Sequence, residues 1–127
     1  MKRKLPTAEE MSAALETARK VVSGETPPRA DLAMACRKIL DFEAVHHPGG
    51  SLEIRVPPFA AVQVGVGERG DHTRGTPPNV VEMDAGTLLA LAVGALGWED
   101  ALAEHRVHAS GIHTDISSWW PIPLKYP

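Results

Sequence analysis

The sequence predicts an α+β domain with helices packed on one face of a mixed β-sheet. Three observations lead there. The spacing of apolar residues changes from a helical period to a period of two near residue 51. Two alternating segments then follow each other closely, like a hairpin, and no βαβ unit repeats along the chain. The 127 residues, 43% hydrophobic and 23% charged, match a soluble globular composition. A chain of this length can bury about two-thirds of its unfolded surface, so a core is attainable without disulfides or metal.

The elements follow in order. Thr7-Ala8-Glu9-Glu10 has the pattern of a capping box. Met11, Ala14, Leu15, Ala18, Val21 and Val22 continue it as a helix that stops at Ser23-Gly24. Its apolar stripe is narrow and alanine-rich, so it is expected to be an accessory to the domain, with residues 1–26 set apart from 27–127. A second helix starts after Thr26-Pro27-Pro28, since proline is tolerated in a first turn. Leu32, Ala35, Cys36, Ile39 and Phe42 form its apolar face, and His46-His47-Pro48-Gly49-Gly50 ends it. Leu52, Ile54 and Val56 alternate with polar residues as a half-buried strand. Pro57-Pro58 must mark an edge or a bend, because proline cannot donate to a ladder. A second strand is predicted from Phe59 to Val66, with Ala60, Val62, Val64 and Val66 on one face, and a third from Asn79 to Met83. Asp84 suits the N-cap of a helix carrying Leu88, Leu89, Leu91, Ala92 and Val93. Trp98 to Leu102 adds a turn or two, and Arg106 to Ser110 reads as a fourth strand. The prolines after Trp120 exclude a long helix in the tail.

Several function classes fall away. Thirteen basic and sixteen acidic residues leave a net charge of −3, without the basic stripe of a nucleic-acid binder. The one basic run, Lys2-Arg3-Lys4, reads as a solvated terminus. A single cysteine excludes an internal disulfide, and no apolar run approaches a membrane span. With no apolar leader core after residue 4, the expected compartment is the reducing cytoplasm.

The motifs that tempt are weak. Gly65 to Gly70 spells G-x-G-x-x-G, but the residues after it cannot open the helix that a dinucleotide site needs. His105, His108 and His113 lack an acidic or thiol ligand at metal spacing, so no metal or cofactor is expected. Cys36 lies on an apolar helix face, where a thiol acts as a small hydrophobe. Ser110-Gly111 lacks the leading glycine of a nucleophile elbow. No catalytic residue is assigned. The loop carrying His72 and Arg74, with Asn79 beyond it, is the most polar stretch, and Arg74 offers a fork for an anionic head group. Six aromatics are present, and Trp119, Trp120 and Tyr126 fall within the last nine residues. On an extended chain the two adjacent indoles would point in opposite directions, one into the core and one into a pocket, a partner or a lipid surface.

Leu52 to Gln63, with its Val56-Pro57-Pro58-Phe59, resembles the bacterial (actinobacterial) sterol-carrier-protein-like family. The stretch His72 to Glu82, with Thr76-Pro77-Pro78-Asn79, carries the same resemblance. So do Leu88–Gly94, Trp98–Ala101 and Val107–Gly111. The likeness covers roughly residues 28–124. It implies a mixed sheet of about five strands and an apolar cavity between sheet and helices. It also implies non-enzymatic binding or carriage of a lipid-like or other apolar small molecule. Under that implication Ile39, Ile54, Val62, Val64, Leu88, Leu91, Trp119 and Trp120 would face the ligand. His72, Arg74 and Asn79 would stand at its polar mouth. The alternatives are an interaction module, homodimeric through the tail from Trp119 to Tyr126, or an accessory domain to a thiol-dependent isomerase-like system. Two positions depart from the family pattern: His105 stands where a glycine is usual, and Trp119-Trp120 where a leucine precedes the proline. Bulky indoles there would narrow or plug the cavity mouth.

Overall fold

The structure is a computed structural model that describes residues 3–66 and 78–123. Helices α1 (Ala8–Val22) and α2 (Arg29–His46) precede strands β1 (Leu52–Val56), β2 (Ala60–Val64) and β3 (Asn79–Met83). Helices α3 (Ala85–Ala92) and α4 (Trp98–Ala103), strand β4 (Val107–Ser110) and a 3-10 turn at Ser117–Trp119 complete it. The described residues form one four-stranded sheet in the order β2-β1-β3-β4, one strand fewer than expected. β1 pairs antiparallel with β2 and parallel with β3, and β3 pairs antiparallel with β4. The sheet is therefore mixed, and the class is α+β as predicted.

The proline pair makes the bend. Val56 faces Ala60 across the β1–β2 ladder, leaving Pro57-Pro58-Phe59 as the turn, closed by Phe59 N–H donating to Val56 O at 2.9 Å. β2 is shorter than the alternation implied: Phe59 belongs to the turn, under the Arg29 guanidinium 5.1 Å from its ring centre. Leu52, Ile54 and Val56 are buried while Glu53 and Arg55 face the other way, as a period of two requires.

Helix α1 is no outlier. Thr7 and Glu10 form the reciprocal capping box, at 2.9 and 3.0 Å. The Glu10 carboxyl, held below its ordinary value mainly by that backbone bond, also pairs with Lys38 of α2 at 3.2 Å. Met11, Ala14, Leu15 and Ala18 are buried in the same core as the sheet's inner face. The alanine-rich stripe is what lets α1 lie close against α2 and α3. Arg3 is likewise engaged, donating to Asp41 at 2.6 Å, so the basic run is not wholly solvated.

Three helices end alike. After α1, α3 and α4, the residue past the cap donates to the carbonyl three back, and the next residue to the one five back. This closure needs a left-handed residue, supplied by Gly24 (φ 96°), Gly94 (φ 78°) and His105 (φ 60°). His105 is the non-glycine of the three.

Candidate functional site

Ile39 from α2, Ile54 from β1, Val62 and Val64 from β2, and Leu88 and Leu91 from α3 all reach the helix–sheet interface. Each is at most 3% exposed, and they pack in one continuous apolar cluster. Six of the eight expected ligand-facing residues are thus brought together in space, and Trp119 and Trp120 pack against their cluster from the tail. Aliphatic side chains dominate there, with Cys36 among them; burial pushes that thiol up to about 11, so it sits as an unreactive hydrophobe.

At the margin of this layer, a groove of about 830 Å3 runs between the end of α2 and the edge strand β2. Ala44, Val45, Pro48, Gly49, Ala61 and Val62 line it together with the polar Arg3, Glu53 and Gln63.

The polar residues sort differently. His72 and Arg74, and most of the glycine motif at 65–70, lie outside the described residues. Asn79 is 2% exposed. Its amide nitrogen donates to Ser51 O at 2.8 Å and its oxygen accepts from His113 N–H at 3.1 Å. It ties the starts of β1 and β3 to the turn after β4. Gly111 permits this clamp: at φ 111° it lies so close that a Cβ there would collide with Asn79 Oδ1 and the Pro78 carbonyl. Among the described residues, no three of His, Cys, Asp and Glu sit together as metal ligands.

The described part of the tail, residues 119–123, folds back onto its own chain. Trp119 stands in the 3-10 turn rather than on an extended segment, and stacks on the His47 ring with centroids 3.8 Å apart and planes 3° from parallel. Trp120 is half-buried with its indole N–H enclosed. Ile122 is buried and its N–H donates to Ala92 O at 2.9 Å.

This corner holds a residue that the sequence reading passed over. Glu43, near the end of α2, is 1% exposed. Its Oε1 is 3.6 Å from His47 Nε2, and its Oε2 has no hydrogen-bond partner among the described residues. Burial raises the Glu43 carboxyl to about 8. Burial, followed by the neighbouring His46, depresses His47. Both groups are therefore held in their neutral forms near neutral pH. The signal for Glu43 was present as spacing: it lies seven, four and three residues after Cys36, Ile39 and Leu40, on the buried stripe.

Residues 28–122 match the family described as bacterial SCP ortholog, three-quarters of the chain, and the protein belongs to that family. No curated protein matches the chain. No helix of the described residues is long and apolar enough to cross a membrane.

Proposed function

We propose that the protein binds and carries an apolar small molecule, without chemical change, in the layer between the helices and the sheet. Membership of the bacterial SCP family carries this reading. The aliphatic lining supports it: Ile39, Ile54, Val62, Val64, Leu88 and Leu91 offer an acyl chain or ring system shape without competing polar groups. The groove between α2 and β2 gives the route, because its wall residue Val62 also belongs to the core. A ligand parting α2 from β2 would exchange side-chain contacts for its own, at about 0.8 kcal/mol for each methylene taken from water. Trp119 and Trp120 close the neighbouring corner as a lid. His72 and Arg74 are the groups proposed to meet a polar head outside it. The unreactive thiol suits this passive role in a reducing cytoplasm.

The test is thermal unfolding and tryptophan emission of delipidated protein against fatty acids, long-chain alcohols and sterols. Binding raises the unfolding midpoint with ligand concentration. No shift in either signal across the panel overturns carriage.

A further inference from the structure

We infer that residues 117–121 form a proton-operated flap: stacking of Trp119 on His47 holds it closed over the end of α2 while Glu43 is uncharged, and ionisation of Glu43 releases it. The inference does not depend on a carried guest.

The flap has an anchor on either side. Ile116 and Ile122 are buried, and Ile122 N–H donates to Ala92 O. Between them the chain is held more lightly. Ser118 and Pro121 are exposed, and Trp119 and Trp120 are half-buried. Ser117–Trp119 is a single 3-10 turn, closed by Trp119 N–H donating to Ile116 O at 3.0 Å. The flat stack on His47 joins that turn to α2.

His47 is also the neighbour of a buried acid. Glu43 Oε1 is 3.6 Å from His47 Nε2, and Glu43 Oε2 is enclosed without a partner among the described residues. Such a carboxyl keeps its proton, because its charged form would lose hydration uncompensated. The surroundings supply no offsetting cation among the described residues, and burial alone acts on the carboxyl. β2 and α3, which pack on α2, carry no ionisable side chain, and neither do residues 117–123. From α1, Glu10 pairs with Lys38, more than a turn before Glu43, and the other charged side chains are exposed. Asp115 accepts from Ser117 N–H. His46 lies against Phe42 and depresses His47 further. Ionisation therefore leaves a carboxylate beside a neutral imidazole. Water gains access past His47, whose side chain is one-third exposed and is covered on one face by Trp119.

The sign follows from both groups. Closed, Glu43 holds its proton up to about pH 8, against an ordinary value of 4.5, and His47 titrates below its ordinary 6.5. Opening returns both toward their ordinary values, so Glu43 gives a proton to solvent and, below pH 6.5, His47 takes one up. Between about pH 6.5 and 8 the release alone counts, and each pH unit should raise the open-to-closed ratio by up to about tenfold. Below that window the two protons cancel and the profile flattens.

Amide hydrogen exchange of the full chain, followed by NMR over about pH 6 to 9 and corrected for intrinsic rates, tests this at Trp119 N–H. Its protection should be lower than that of the β1 and β2 ladder amides, and should fall by up to about tenfold per pH unit across the window. Glu43→Gln keeps an uncharged side chain of the same shape, so its Trp119 protection should stay level, with circular dichroism showing the fold retained. A merely structural Glu43 would leave the wild-type profile flat. Trp119 protection equal to that of the ladder amides, or flat with pH, overturns the flap from wild type alone. So does a wild-type fall that Glu43→Gln reproduces.

Discussion

Burial of Glu43 should make stability depend on pH near neutrality. Its carboxyl binds a proton more tightly folded than unfolded, rising from 4.5 to about 8. The folded state therefore holds the extra proton in that window, and stability from this group is lost as pH rises through it. His47 acts oppositely: its folded value lies below 6.5, so its contribution falls as pH drops beneath that value. Stability should decline most clearly between about pH 6.5 and 8, as part of a total Glu43 effect of roughly 3–5 kcal/mol. Denaturant melts of Glu43→Gln over pH 6 to 9 should be nearly flat. A wild type equally flat would contradict the buried neutral acid. His105 offers a second check. A non-glycine at φ 60° is strained, so His105→Gly should stabilise by about 0.5–1 kcal/mol in the same assay.

At the scale of elements, Asn79 and α1 carry the expectations that differ most from a reading of the chain. Asn79→Ala breaks two hydrogen bonds and strands the Ser51 carbonyl and His113 N–H, and should cost about 1–3 kcal/mol by chemical denaturation. Met11 is 1% exposed at the heart of α1's contact with the core, and Met11→Ala should cost about 2–4 kcal/mol. A loss below about 0.5 kcal/mol would mark α1 as a true accessory. The strands were legible because alternation is a local property: Leu52, Ile54 and Val56 announce their face whatever packs on it. The proline pair and Asp84 were legible for the same reason, as turn and cap chemistry act within a few residues. Packing depth was not. An alanine stripe reads as weak by hydrophobicity, yet close helix approach makes it core. A glutamate near a helix end reads as solvated, although its place on the stripe of Cys36 and Ile39 put it inside. Asn79 looked like a mouth residue until Gly111, distant in sequence, supplied the room for its clamp.

For the whole molecule, an aliphatic interior lies between helices and sheet, with a groove at the α2–β2 margin and Trp119 stacked on His47 at the end of α2. The crowding of aromatics toward the end of the chain gains a physical role here. Trp119 covers His47 at the end of α2, and Trp120 packs against the core. A protein truncated after Ser118 should therefore lose stability, with His47 and Glu43 laid open, before it changes its oligomeric state. Light scattering alongside thermal melting separates the two effects, and a change of mass at unchanged midpoint would favour a dimer contact. The central claim is that this layer carries an apolar guest. Native mass spectrometry of freshly purified protein tests it most directly: a lipid-sized mass that travels with the folded chain and is lost on delipidation is predicted. A bare chain mass, unchanged after incubation with long-chain alcohols, fatty acids and sterols, would contradict it.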